Sequence, residues 1–214
     1  MSVHFAGKRI GLFGGTFDPP HHGHVALVEA GLNEMGLDEI LVIPAEPVHR
    51  QLSGCADGPT RLGWLEHIFA DHQAVEVVDW EIGRGRAVAA VETLRDFRDQ
   101  YPGIVPWLLL GADAWAGLQG WREYPAHQQL CNVAVFARQG VDDGQLPEHQ
   151  GWLKVDVASW RECMSPGHCC YLPVRLPDIS ATALRRDAQL GRSLTGRVPE
   201  PVREQIEKRY QIVD

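Results

Sequence analysis

The chain has 214 residues, 44% of them hydrophobic and 22% charged, a balance that fits one globular domain and excludes a disordered or collagen-like polypeptide. At this length folding buries roughly 70% of the unfolded surface, so the core needs no disulfide or structural metal. Twenty Lys and Arg against 28 Asp and Glu give a formal charge of −8, which argues against nucleic acid or an anionic membrane as partner and leaves room for a local anion pocket.

The opening MSVHFAGKRIGLFGG lacks the basic, apolar and cleavage regions of a signal peptide, and no apolar run reaches the roughly 20 residues of a membrane helix. A cytoplasmic location is expected. The five cysteines form no CxxC pair, which suits reduced thiols. Cys163, His168, Cys169 and Cys170 cluster in sequence, so zinc is the alternative. Adjacent cysteines point in different directions and the usual ligand spacing is missing, so structural thiols and no metal site are expected.

In chain order, short β-rich runs alternate with stretches of helical periodicity, which predicts an α/β fold: a Rossmann-like, doubly wound parallel sheet with helices on both faces. Strands are expected at Arg9 to Phe13, Ile40 to Ile43, Val75 to Val78, Trp107 to Leu110, Val133 to Phe136 and Tyr171 to Leu172. Helices are expected at His22 to Met35, Thr60 to Ala70, Val88 to Gln100 and Ala112 to Leu118. Gln139 to Gly167 carries weak periodicity and reads as a long irregular excursion or lid. Beyond Pro177 a small C-terminal helical portion, about residues 178–214, completes the single expected domain, with Pro199 and Pro201 opening a last helix to Tyr210.

Gly11-Leu-Phe-Gly-Gly-Thr-Phe-Asp-Pro-Pro-His-His-Gly-His24 joins the first strand to the first helix. Such a turn lies at the carboxyl edge of a parallel sheet, where α/β proteins bind ligands. Gly14 and Gly15 let backbone approach a phosphate, and the following helix offers amides and the positive end of its dipole. The segment is neither a Walker loop nor GxGxxG. His21 and His24 lie three apart at the helix start and can face one bound group, although a capping role is the simpler account of a histidine pair. His22 should face away, and no third metal ligand is fixed by spacing.

A second constellation is Ile179-Ser-Ala-Thr-Ala-Leu-Arg185. Ser180 and Thr182 open a helix, and Arg185 follows one turn later on the same face, which makes another anion site. An ordinary N-cap with a solvent-facing arginine is the alternative.

GGTFDPPHHGH and ISATALR together resemble the two signatures of the nucleotidyltransferases with a His-x-Gly-His motif, in particular the bacterial nicotinate mononucleotide adenylyltransferases. The resemblance extends over nearly the whole chain. Pro44-Ala-Glu-Pro-Val-His-Arg50 is similar to the family's Pro-Pro-His-Lys/Arg loop, and Arg61 sits where its next helix begins. Glu92-Thr-Leu94 is similar to Asp-Thr-Leu, Leu110-Gly-Ala-Asp113 to Gly-x-Asp, and Leu118-Gln-Gly-Trp121 to Leu-x-x-Trp. Arg138 follows the fifth strand as the family's arginine does.

The resemblance implies adenylyl transfer from ATP to nicotinate mononucleotide, with Mg²⁺ accompanying ATP. His21, His24 and Arg185 would be catalytic. Gly14, Gly15, Thr16, Phe17, Ser180, Thr182 and Arg138 would hold ATP, and Asp113 its ribose. His49 and Arg50 would lie near the reacting phosphates, with Trp121 stacked on the pyridine ring. A core aromatic is the alternative for Trp121, and a helix cap for Asp113. The family commonly has Ser-Tyr-Thr where this chain has Val88-Ala-Ala90, and its Pro-Pro-His is Pro47-Val48-His49 here. These departures leave the ATP half intact and open the acceptor half. The nicotinate carboxylate would be selected by backbone amides alone, or the acceptor would be nicotinamide mononucleotide or another phosphate ester. A silent nucleotide-binding regulator is the alternative from another class. The sequence leaves monomer and homo-oligomer both open.

Overall fold

The computed structural model describes residues 5, 7–46, 54–137, 147–174 and 176–211. His49, Arg50 and Arg138, expected in the site, lie outside them. Among the described residues the strands are β1 (Ile10–Gly15), β2 (Glu39–Pro44), β3 (Val75–Val77), β4 (Trp107–Gly111), β5 (Asn132–Ala137), β6 (Leu153–Lys154) and β7 (His168–Pro173). The helices are α1 (His22–Asn33), α2 (Gly58–Phe69), α3 (Ala90–Gln100), α4 (Ala112–Ala116), α5 (Ala181–Gln189) and α6 (Glu200–Tyr210).

The strands form one seven-stranded sheet in the order β3-β2-β1-β4-β5-β7-β6, and every pairing is parallel. A parallel sheet must be covered on both faces, which is why its strands read as near-continuous apolar runs. Successive strand residues alternate between two cores. Leu12, Leu41, Leu108, Leu110, Val133, Val135 and Cys169 pack with Leu94, Phe97 and Trp115 on one face. Phe13, Val42, Leu109, Ala134, Phe136 and Cys170 pack with Leu27, Val28, Leu65 and Phe69 on the other. This is the Rossmann-like α/β arrangement expected from the sequence.

The chain turns in opposite directions from β1, toward β2 on one side and β4 on the other. The crevice at the carboxyl ends of β1 and β4 is therefore the switch point, where open α/β sheets take ligands. A third apolar cluster joins Leu184, Ala188, Leu194, Val198, Val202, Ile206 and Tyr210 to Trp64 of α2, so α5 and α6 close against the sheet through α2.

Part of the irregular excursion expected over 139–167 is regular. Leu153–Lys154 forms β6 at the edge of the sheet, in register with His168 and Cys169, and Trp160 is buried against Trp107 at a centroid distance of 5.3 Å. A two-residue strand is too short to leave a sequence period, and the anchored tryptophan makes the described part, residues 147–167, a flank of the core; residues 139–146 lie outside the described residues. The helix expected to end at Leu118 stops at Ala116, with Gly117 as its cap and a 3-10 turn at Leu118–Gly120. Cys169 and Cys170 enter opposite cores, so they cannot converge on one ion, and all five cysteines are free.

Candidate active site

β1 ends at Gly15, and the next residues turn into α1 through Phe17, whose φ is 49. This left-handed conformation costs a non-glycine residue about 1–2 kcal/mol, offset by burying the phenyl ring to 2% exposure. The ring lies 5.2 Å from Phe13 and 4.9 Å from His24 between centroids. A Cβ on Gly15 would stand 3.0 Å from that ring, so glycine is what lets Phe17 fold underneath the turn. The side chain of Phe17, expected as an ATP contact, is buried beneath the turn and packs edge-on against His24. At Gly14 a Cβ would meet nothing within 4 Å, leaving the open cradle that a phosphate needs.

His21 is the N-cap of α1, with extended backbone. Its N–H donates to Nδ1 of His24 over 3.1 Å, the arm of a capping box usually supplied by Glu or Gln. The two imidazoles stack, with centroids 3.7 Å apart and planes at 21°. Burial, and then the neighbouring His21, hold the His24 pKa well below the usual imidazole range. His24 is therefore neutral at pH 7, and because Nδ1 accepts, its proton is on Nε2. Gly23 between them is required by close approach, since a Cβ there would lie 3.0 Å from the His21 ring. The His22 N–H donates to the Arg197 carbonyl at 3.0 Å, so this first amide of α1, expected to face an anion, serves the C-terminal helices instead.

A cavity of about 530 Å³ opens at the switch point. Gly14, His21, His24, Asp113, Trp121, Pro177 and Ile179 are among the residues that line it. Asp113 is exposed in the first turn of α4, whose N-cap is Gly111, which overturns the capping alternative. Trp121 is partly buried against the core, edge-on to His127 at 5.8 Å, while still lining the cavity. Ser180 is the N-cap of α5 and accepts from the Ala183 amide at 3.5 Å. The Thr182 hydroxyl accepts from Arg185 at 3.3 Å. Arg185 in turn donates to the Asp18 carbonyl and stands 3.7 Å from its carboxylate, so it is neither a solvent-facing arginine nor a distant one.

Other residues were placed by the resemblance without a role, and their contacts show that they support the site. Buried Arg61 donates to the carbonyls of Thr16 at 2.7 Å and Ala45 at 2.9 Å, tying the loop after β1 to the loop after β2. Its position at the start of α2 was the available signal, but a buried arginine spent on carbonyls has no spacing signature. Glu92 accepts from the Ala89 amide at 3.2 Å and pairs with Arg86 at 2.6 Å, and Thr93 donates to buried Glu81 at 2.7 Å. The Glu92-Thr-Leu94 element is thus a brace for the start of α3. The Val88 amide is bonded to the Glu46 carbonyl at 3.3 Å, so the amides of Val88 and Ala89 are engaged within the protein rather than offered to a carboxylate.

An all-parallel sheet with a cavity at its switch point is the arrangement in which α/β proteins bind ligands. Comparison with known proteins gives the family. The cytidylyltransferase-like family model matches residues 12–187. A probable nicotinate-nucleotide adenylyltransferase of Chromobacterium violaceum is 36% identical over 183 residues, covering 83% of this chain and 85% of the relative. One of the same name from Citrifermentans bemidjiense is 33% identical over 213 residues, covering 96% and 99%. Among solved structures, a Plasmodium falciparum nicotinic acid mononucleotide adenylyltransferase complexed with APC has a TM-score of 0.69 at 16% identity, covering 94% of this chain and 95% of that one. The chain belongs to the cytidylyltransferase-like family, among the nicotinate-nucleotide adenylyltransferases, and is a nucleotidyltransferase.

Proposed function

We propose that the protein transfers the adenylyl group of ATP to nicotinate mononucleotide, forming the deamido dinucleotide precursor of NAD and releasing pyrophosphate. The observation that carries the reading is the stacked His21 and His24 beside the open Gly14 turn, lining one cavity together with Asp113 and Trp121. The same substrate class appears in the names of the relatives and of the solved Plasmodium falciparum complex with NaAD.

The acceptor phosphate has a second pKa near 6, is largely dianionic at neutral pH, and needs no general base. Its oxygen attacks the α-phosphorus, a new P–O bond forms, and the bond to the bridging oxygen breaks with its electrons leaving on pyrophosphate. The protein has then to align two anions and meet the charge that develops. His24, neutral with its proton on Nε2, offers that N–H as a hydrogen-bond donor, and His21 stacks against it over the same phosphates. Arg185, Ser180 and Thr182 hold the triphosphate from the α5 side, with Thr16 and the Gly14–Gly15 backbone below. Asp113 takes the ribose hydroxyls, and Trp121 stacks on the pyridine ring. His49, Arg50 and Arg138 are assigned to the acceptor and phosphate contacts on the resemblance alone.

ATP enters as its magnesium complex in this proposal. Among the described residues no group of three or more His, Cys, Asp or Glu could hold a metal, so the ion would ride on phosphate oxygens. It supplies charge neutralisation between the two anions. Among the described residues no helix is long and apolar enough to cross a membrane. Five free cysteines suit a reducing compartment, and the cytoplasm is the location we propose.

The test is pyrophosphate release from magnesium ATP with nicotinate mononucleotide, nicotinamide mononucleotide or no acceptor. The reading expects a strong preference for the nicotinate form. Release with another acceptor alone would replace the substrate, and ATP binding without release would make the protein a silent regulator.

A further inference from the structure

Asp18 is 3% exposed in the turn between β1 and α1, and distant stretches of chain converge on it. One carboxylate oxygen accepts from the Ala56 amide at 3.1 Å and from the Tyr210 hydroxyl. The other stands 3.7 Å from Nη1 of Arg185, which donates instead to the Asp18 backbone carbonyl. Tyr210 ends α6, and its ring is buried with Trp64 at 6.3 Å in the third apolar cluster. The neighbouring Arg209 donates to the Cys55 carbonyl, so the end of α6 is fixed on both sides of the bond. Asp18 also contributes, after burial, to pushing the Cys55 thiol up to about 11.

A buried carboxylate beside a guanidinium should close into a paired, hydrogen-bonded contact, the strongest arrangement open to both groups. Here the two groups form an ion pair at 3.7 Å with no hydrogen bond from the guanidinium to the carboxylate, while the other carboxylate oxygen is held by Ala56 and Tyr210. We propose that Tyr210 is a positioning residue for adenylyl transfer, whose hydroxyl restrains Asp18 from capturing Arg185 and so leaves the guanidinium for the triphosphate. Loss of the hydroxyl leaves the carboxylate on the Ala56 amide and the Cys55 thiol, less restrained against turning toward Arg185. A guanidinium drawn from the present 3.7 Å ion pair into a direct hydrogen bond with the carboxylate would be turned away from the substrate's charge. The inference rests on the proposed role of Arg185 in ATP binding.

The test compares wild type, Tyr210→Phe, and Tyr210→Phe with Asp18→Asn, an isostere that cannot draw on the guanidinium by charge. Tyr210→Phe is expected to raise the KM for ATP and lower kcat, for roughly a tenfold loss in kcat/KM, with the KM for the pyridine mononucleotide unchanged. Adding Asp18→Asn should restore part of that loss. Val202→Ala in the same helix core serves as control, lowering the melting temperature without this kinetic split. An unchanged kcat/KM for ATP in Tyr210→Phe overturns the proposal, as does a loss that Asp18→Asn fails to relieve. If wild type releases no pyrophosphate, adenylyl transfer is the reading that fails. Calorimetric affinity for ATP then decides this one: weaker binding in Tyr210→Phe supports it, and equal binding, or none by wild type, overturns it.

Discussion

Nδ1 of His24 accepts the backbone N–H of His21 over 3.1 Å, so one contact caps α1 and sets which ring nitrogen of His24 carries its proton. Capping and donating are thereby joined in a single side chain. His24→Ala should lose both functions: about 1 kcal/mol of stability through the cap, and about 10²- to 10³-fold in kcat through the missing donor. His21→Ala leaves the His21 amide in place and should lower turnover more than ATP affinity, because a donor to the transferring group tightens in the transition state. Melting temperature and steady-state kinetics on both variants separate the two effects.

The depressed pKa of His24 has a counterpart in His127, which burial also lowers. In the unfolded chain both would titrate near 6.5. Below that pH the unfolded state binds protons that the folded state does not, so stability is full above about pH 6.5 and falls toward the depressed folded values. The slope approaches about 1.4 kcal/mol per pH unit for each histidine within its window. Urea unfolding at pH 7.5 and 5.5 should show this loss, reduced in His24→Ala; a flat profile would contradict it.

Trp121 belongs to the core and to the cavity at once, so its substitution should act on one substrate. Trp121→Leu keeps an apolar side chain and removes the stacking face, worth roughly 1–3 kcal/mol per base. The KM for the pyridine mononucleotide should rise about tenfold or more while that for ATP stays within twofold. Equal effects on both substrates would place Trp121 in the core alone.

Arg185 reaches Thr182 and the Asp18 carbonyl from one guanidinium, a forked geometry that an ammonium cannot reproduce. Arg185→Lys keeps the charge and should still lower kcat/KM for ATP by an order of magnitude, about 1.4 kcal/mol. Retained efficiency would show that charge alone suffices there.

The sheet was legible because both of its faces are covered: Ile40–Ile43 and Val133–Phe136 are unbroken apolar runs, and Gly-rich or helical stretches separate them. The histidine pair and the Ser180 cap were legible because local geometry and spacing coincide there. Much of the remainder depends on contacts between residues far apart in sequence. Arg61 acts on Thr16 and Ala45 through carbonyls, which any residue possesses, and Tyr210 reaches Asp18 from the other end of the chain. Neither leaves a local pattern. β6 escaped because its two residues gain their strand geometry from pairing with His168 and Cys169 rather than from their own propensity.

The most direct measurement follows the α-phosphorus. ATP labelled at that position, incubated with magnesium and nicotinate mononucleotide, should yield a labelled dinucleotide of deamido-NAD mass and unlabelled pyrophosphate, in equal amounts. Label retained in ATP, or delivered to the protein, would contradict direct adenylyl transfer at the His21–His24 pair.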